Sequence, residues 1–359
     1  QKSIIATATK CVDLDEGIKV IGERINPTGK KKLKEALINN NMEYILREAV
    51  TQKEKGADIL DVNVGLPEIN ESEVITGVVK EIQSIIDLPL QIDSSDAGAI
   101  EAALRIYNGK AIINSVNGKT EIMDTIFKIA RKYGACVVGL TLDENGIPSS
   151  AEERFKIAEK IVNTAEKYGI PKENLLIDCL VLTASAQQKE VAETLKAITM
   201  VREKLGVKTV LGVSNVSFGL PDRALLNRTF LTMALHSGLT TPILNPQSEE
   251  MMHIIKAFNV LTNQDKDSTE YIDFFNNNDT KKEIIKNTDL ELPDIIRLGL
   301  KEEGKSKIYS LLKEYQPMYI IDNYLIPVLD TIGIKFEKGE IFLPQLIQTA
   351  ETVKYFFEI

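Results

Sequence analysis

The chain has 359 residues but no tryptophan, only three cysteines and only two histidines. Cys11, Cys136 and Cys179 are odd in number and lack paired spacing, which excludes a disulfide framework and favours a reducing compartment, so the cytoplasm is the expected location. His236 and His253 belong to no HExxH or Cys/His cluster, and no metal site is assigned. There is no GxSxG, and Cys136 and Cys179 lie within apolar runs where a thiol is ordinarily inert. No apolar run reaches the roughly 18 residues of a membrane helix, and no signal peptide is present. Basic residues are scattered in a chain of net charge −9, which disfavours nucleic acid as a partner.

What is present is a repeated alternation of short β-branched runs and helical stretches. The runs are residues 19–24 (KVIGER), 58–63 (DILDVN), 89–93 (PLQID), 111–115 (AIINS), 136–141 (CVVGLT), 175–179 (LLIDC), 209–214 (TVLGVS) and 242–245 (PILN). Helical spacing fills residues 42–55, 73–86, 97–107, 120–133, 151–168 and 191–205, several of them ending at a glycine suited to a C-cap. Eight such units, with no glycine-rich phosphate turn after the first, predict an α/β fold of the (β/α)8 TIM-barrel class over residues 18–262. Residues 1–17 read as a polar connector and 263–280 as a polar linker. Residues 281–359 read as a small four-helix bundle, with breaks at Gly304 and at Lys338–Gly339. A chain opening on Gln1 is expected to be a piece of a longer polypeptide.

In such a barrel the site lies where the strands end, and these ends are strongly polar. Glu23, Asn26, Asp61, Asn63, Asp93, Asn114, Thr141, Asp178, Ser214, Asn215 and Asn245 all fall there. Any one of them alone reads equally well as the N-cap of the next helix. Together, Asp93, Asn114 and Asp178 each follow an apolar run and converge on one mouth. Carboxylates mixed with carboxamides, and with no lysine nearby, suit a neutral heterocycle with amide-like edges: a carboxylate accepts from an N–H/NH2 pair, and an amide both donates and accepts. Chemistry here falls to bound molecules that the protein orients.

The strings GERINPTGKK (22–31), LDVNVG (60–65), IDSSD (92–96), IINSVNG (112–118), LIDCL (176–180) and LGVSNVSFGLPDRALLNRTF (211–230) resemble the pterin-binding family of methyltetrahydrofolate:corrinoid methyltransferases, in order along the whole barrel. The likeness is strongest to the folate module of the cobalamin-dependent methionine synthases and weaker to dihydropteroate synthase, whose lysine after the seventh strand and Arg-x-His ending are absent. It implies a barrel of the dihydropteroate synthase-like type that binds 5-methyltetrahydrofolate. It also implies roles. Asp178 would pair with the 2-amino and N3 edge of the pterin, and Asp93 and Asn114 would hold other edges. Asn215 would contact the methyl-bearing N5 as the catalytic residue, and Asp61, Asn63 and Arg223 would line or brace the pocket. Phe218 departs from the glutamine that some of these enzymes carry there.

Residues 323–354 (NYLIPVLDTIGIKFEKGEIFLPQLIQTAETVK) are similar to the helical cap over the upper face of cobalamin in the same family. On that likeness Phe336 and Leu343 would shield the cobalt-bound methyl group, although a helical bundle needs an aromatic and a leucine at such spacing anyway. The DxHxxG motif that ligates cobalt from below is absent, as is a zinc-binding cysteine cluster. Cobalamin is therefore expected to be bound mainly by a domain absent from this chain, and the expected partners are the cobalamin-binding and homocysteine-binding domains of a parent protein. The implied activity is methyl transfer from 5-methyltetrahydrofolate to cob(I)alamin within methionine synthesis from homocysteine. A stand-alone methyltransferase serving a separate corrinoid protein and a non-catalytic folate-binding module are the alternatives.

Overall fold

The computed structural model describes residues 2–272, 274–275, 291–338 and 343–359, excluding the side chains of Leu298, Glu302, Glu303, Leu343, Pro344, Gln345 and Gln348. The first run of chain, expected to be a connector, instead pairs as an antiparallel hairpin of β1 (Ile4–Ala6) and β2 (Cys11–Asp13). Eight strands follow: β3 (Ile21–Ile25), β4 (Ile59–Val62), β5 (Leu90–Asp93), β6 (Ile112–Asn117), β7 (Cys136–Leu140), β8 (Leu175–Asp178), β9 (Lys208–Gly212) and β10 (Thr241–Leu244). Each pairs in parallel with the next, and β10 closes onto β3, giving a TIM-barrel-like closed barrel. Helices α1 (Lys31–Ile38), α2 (Met42–Glu54), α3 (Glu71–Ile85), α4 (Ala97–Ile106), α5 (Thr120–Tyr133), α6 (Ala151–Lys167), α7 (Ala184–Met200), α8 (Arg223–His236) and α9 (Glu249–Leu261) form the crossovers. Among the described residues no helix is long and apolar enough to cross a membrane.

Strand alternation sorts the core into two layers. One face of each strand packs under the helices; the other fills the barrel with Ile21, Ile59, Ile112, Cys136, Val138, Leu176 and Val210. Ile5, Val12 and Leu14 of the hairpin segment join that inner cluster. Their burial contributes roughly 1.5–3 kcal/mol each, which is why so short a hairpin holds. Backbone bonds between Ala6 and Lys110, a bond from the Tyr107 hydroxyl to the Ala6 carbonyl, and an ion pair between Lys208 and Asp15 fix it at the N-terminal ends of the strands. That end is thus plugged, which leaves the opposite end, where the strands terminate, as the place for a site.

The motif glycine Gly22 has a packing reason. A Cβ there would collide with the Gln52 side chain of α2, whose Oε1 accepts from the Arg24 N–H at 2.9 Å. Of the expected linker, residues 273 and 276–280 lie outside the described residues, as do 281–290 of the expected bundle. Its earlier part is ordered by Asp265, whose carboxylate accepts from the N–H groups of Glu270 and Tyr271.

The chain divides into two compact units, Gln1–Tyr271 and Ile272–Ile359. The second holds helices Leu292–Leu298, Lys301–Leu311 and Leu343–Phe357, together with a long helix that runs from Pro317–Ile320 through a widened turn, Ile321–Leu325, into Ile326–Glu337. Pro327, which has no N–H for the carbonyl four residues back, is the second residue after that turn. Leu292, Ile296, Ile308, Leu325, Val328, Val353 and Phe356 share one apolar core. The helix break expected at Gly304 falls instead at Gly299, where φ is +73°. Gly304 lies inside a helix because a Cβ there would collide with the Phe356 ring. Gly304→Ala is therefore expected to destabilise this unit by about 1–3 kcal/mol despite alanine's better helix propensity, since overpacking outweighs it. Denaturant unfolding of the full chain checks this, and a stabilised variant would mean that Phe356 yields.

Candidate functional site at the barrel mouth

Parallel strands place all their C-terminal ends on one face. Two residues beyond the interior positions Ile21, Ile59, Ile112, Val138, Leu176 and Val210 come Glu23, Asp61, Asn114, Leu140, Asp178 and Gly212. Asp93 stands directly opposite Asn114 in the register of β5 and β6. The capping alternative fails for these residues. Among the described residues the side chains that cap helices are Asn41, Asn70, Asp96, Ser150 and Asp222, none of them a mouth candidate.

Part of the mouth is tied together in advance. Gln91 donates through Nε2 to Asp61 Oδ1 at 2.7 Å, and Asn63 donates through Nδ2 to Asp93 Oδ2 at 3.0 Å, with Asn26 Nδ2 approaching the same oxygen at 3.5 Å. The Gly65 N–H holds the Asn63 amide by its oxygen at 2.9 Å. Two neighbouring carboxyl groups in a dry place do not both ionise readily. Burial, and then the charge of Asp93, push Asp61 well above the usual carboxylate range, and burial raises Asp93 too.

The rest of the mouth is open. Asp178 ends β8 and is 8% exposed; its Oδ1 accepts from the Leu180 N–H at 2.7 Å, and Oδ2 accepts from no described residue. Leu180 itself has a φ of +57°, in the left-handed region. Burial pushes the Asp178 carboxyl up to about 7. The side chains of Asn114 and Asn215 hydrogen-bond to no described residue, and Asn215 stands exposed on the 3-10 turn Val213–Ser217 after β9. Arg223 braces that turn from outside, with Nε to Ser217 Oγ and Nη2 to the Ser214 carbonyl, both at 3.0 Å, and its guanidinium over the exposed Phe218 ring.

The sequence placed Glu23 at the mouth without giving it a role, and two further residues, Gln91 and Lys30, were not singled out. Glu23 accepts from Ser214 Oγ at 3.3 Å and is raised by burial. Gln91, one of the two polar residues of PLQID, was visible but had no assigned partner. Lys30 corrects the expectation of a mouth without lysine: its Nζ donates to the carbonyls of Glu23 and Asn26 at 3.2 and 3.0 Å, and burial lowers its pKa. The lysine stands beyond a turn, so proximity in sequence to a strand end did not mark it. Cys136 and Cys179 are buried free thiols that burial holds in the neutral form.

The family described as pterin binding enzyme matches residues 22–245, well over half of the chain. The chain belongs to the pterin-binding enzyme family. A second family, B12 binding domain, matches residues 300–359. Methionine synthase of Mycobacterium leprae is 28% identical over 368 residues, covering 93% of this chain and 30% of that protein. The chain thus spans about a third of that relative's length. Methylcorrinoid:tetrahydrofolate methyltransferase of Eubacterium limosum is 29% identical over 259 residues, covering 70% of this chain and 94% of that protein. Among solved structures, dihydropteroate synthase from Xanthomonas albilineans shares the fold, with a TM-score of 0.53 at 18% identity over 72% of this chain and 98% of that one. The family and its relatives support an enzyme of methyltransferase type.

The second match overturns two expectations. The cobalamin-binding domain was placed outside this chain, as a domain of a parent protein that would hold most of the cofactor, yet a B12 binding domain lies within residues 300–359. The expectation rested on a missing cobalt-ligating histidine motif. A helical module can meet a corrin through apolar packing, which needs no ligand to the metal and leaves no such motif in the sequence. The long helix of this unit carries Met318, Tyr319, Ile334 and Phe336 exposed. The side chain of Leu343 lies outside the described residues.

Proposed function

We propose that the barrel binds 5-methyltetrahydrofolate at its open mouth and that its methyl group passes to cob(I)alamin held with the help of residues 300–359, as part of methionine synthesis. The observation that carries this reading is the presence on one chain of a pterin-binding barrel and a B12 binding region. The same co-occurrence disfavours a stand-alone enzyme serving a separate corrinoid protein. The free thiols support a cytoplasmic location.

In this reading the open acceptor of Asp178 takes the 2-amino and N3 donors of the pterin, and Asn114 and Asp93 meet its other edges. Asp61 and Asn63 keep Asp93 in place from behind, and Arg223 steadies the turn that carries Asn215. A tertiary amine leaves poorly unless protonated, so the amide of Asn215, which bonds to no described residue, accepts from the N5 proton as charge develops there. Cobalamin, when bound, supplies the reduced cobalt nucleophile that takes the methyl group. The helical unit fits that role through its exposed apolar side chains, of which Phe336, with Leu343, would cover the reacting face. The test is turnover: the full chain, given 5-methyltetrahydrofolate and reduced cobalamin, is expected to release tetrahydrofolate only when both are present. Tight folate binding without turnover would leave a storage module.

The electrostatics of Asp178 give a pH dependence. A carboxyl raised to about 7 in the free protein is protonated below that pH and must lose its proton to accept two N–H donors. Folate affinity is therefore expected to rise with pH up to about 7 and then level, and to be about tenfold weaker at pH 6 than on the plateau. For the fold the sign is opposite. The unfolded carboxyl ionises near its ordinary value, so stability from this group is present at low pH and is lost as pH rises towards about 7. Calorimetric titrations from pH 5.5 to 8.5, wild type against Asp178→Asn, isolate the group. An unchanged pH slope in the variant would assign the dependence elsewhere.

A further inference from the structure

Behind the mouth, away from any group a ligand touches, Arg154 of α6 is completely buried. Its guanidinium is bonded on every nitrogen. Nε donates to the Pro148 carbonyl at 2.8 Å, and Nη1 to the carbonyls of Cys179 and Leu180 at 3.1 and 2.7 Å and to Thr194 Oγ1 at 2.6 Å. Nη2 pairs with Glu190 Oε2 at 3.1 Å. Thr194 in turn donates to the Leu180 carbonyl at 3.0 Å. A buried cation is costly, and helix α6 would pack over β7 and β8 with an apolar residue at this position. The grip falls on the two peptide carbonyls that follow Asp178. The Cys179 carbonyl lies in the same planar peptide as the Leu180 N–H, so the grip on it fixes the direction of that N–H, which points at Asp178 Oδ1, while the Leu180 carbonyl is held with its residue in the left-handed region, an unfavourable conformation for a leucine.

We propose that Arg154 is a positioning residue for pterin recognition: by clamping the Cys179 and Leu180 carbonyls it fixes the Asp178 carboxylate with one oxygen committed to the backbone and the other free for the ligand. This rests on the assignment of Asp178 to the donor edge of the pterin. The guanidinium touches neither ligand nor reacting atoms, and it acts only through the Leu180 turn. Its positive charge also favours the ionised form of Asp178, alongside the Leu180 N–H and against burial. The ionisable groups packed around the clamp are Glu190 and Glu193 on α7, which face Arg154, and the Cys179 thiol next to Asp178.

The test is a double-mutant cycle in the full chain, read by equilibrium binding of tetrahydrofolate and of an analogue that lacks the 2-amino group. Arg154→Met is expected to weaken tetrahydrofolate binding about tenfold, to weaken the analogue less, and to lose nearly all of its effect in an Asp178→Asn background. KM should rise with kcat little changed. Thr194→Val keeps the guanidinium and removes one of its anchors. It is expected to follow the same pattern with a smaller loss, and it carries the test if Arg154→Met does not fold. Losses that simply add in the double variant, or that are equal for the two ligands, would reduce Arg154 and Thr194 to scaffold and overturn the proposal. If Asp178→Asn itself leaves tetrahydrofolate binding unchanged, the assignment of Asp178 fails first and takes this inference with it.

Discussion

Asp178→Asn is expected to weaken 5-methyltetrahydrofolate binding by roughly 30- to 1,000-fold, corresponding to about 2–4 kcal/mol, while the rate at saturating folate changes far less. The size follows from geometry. The Leu180 N–H donates to Oδ1 at 2.7 Å and will hold the amide oxygen of an asparagine in that place. The amide nitrogen is then forced to the position of Oδ2, where the pterin presents its own 2-amino and N3 donors. Donor faces donor in a buried site, so the loss includes a repulsion as well as a missing bond. Asp178→Ala lacks that repulsion and should bind better than Asp178→Asn. Isothermal titration of both variants decides it; the reverse order would mean that the asparagine flips, and no loss in either would remove Asp178 from the recognition edge.

The barrel was legible because its signal is long-range and repeated. Each of the eight apolar runs overlaps the strand found there, and the ends differ by at most two residues: 19–24 against Ile21–Ile25, 111–115 against Ile112–Asn117. A run of β-branched residues buried on both faces leaves little else for the chain to do. The N-terminal hairpin escaped because its strands have only three residues each, too few to set up an alternation. What fixes them is the open bottom of the barrel, which accepts Ile5, Val12 and Leu14, and that acceptor exists only after the other strands have assembled. Gly304 misled for a related reason. Its role is to make room for Phe356, a partner more than fifty residues away.

The site divides the same way. Asp93, Asn114 and Asp178 stood out as polar endings of apolar runs, and the register brings Asp93 and Asn114 opposite each other. Lys30, Gln91 and Arg154 act through partners on other elements, so local pattern carries no mark of them. The B12 binding region was half-read: its helices were expected, but its part in holding cobalamin was assigned elsewhere because only a metal-ligand motif was sought. The mouth itself sorts into groups already bonded to one another, Asp61, Gln91, Asn63 and Asp93, and groups held ready but bonded to no side chain among the described residues, the outer oxygen of Asp178 and the amides of Asn114 and Asn215. The first set needs no ligand to be satisfied and keeps its shape without one. The second is where a ligand's binding energy is collected.

Asn215 differs from the others of that second set in what it is expected to do with that energy. Asp178 ends β8 and Asn114 lies within β6, both fixed by the barrel, whereas Asn215 is exposed on a short turn that Arg223 steadies through Ser214 and Ser217. An amide so placed can offer its oxygen to a protonated N5 and its NH2 to a neutral one, and it has no competing protein partner among the described residues to give up. The interaction therefore strengthens as the proton arrives and the methyl group departs, which is the condition for lowering the barrier rather than merely tightening the substrate. Asn215→Ala is accordingly expected to slow methyl transfer at saturating folate by about 100-fold or more, at least about 2.7 kcal/mol of barrier, with a several times smaller loss in folate affinity. Single-turnover rates with reduced cobalamin, set beside equilibrium binding of the folate alone, separate the two quantities. Equal losses in rate constant and in binding would make Asn215 a contact of the ground state, and the proton at N5 would then have to be held by another residue of the mouth, with the half-buried acid Glu23, bonded to Ser214 on the same turn, the first to replace.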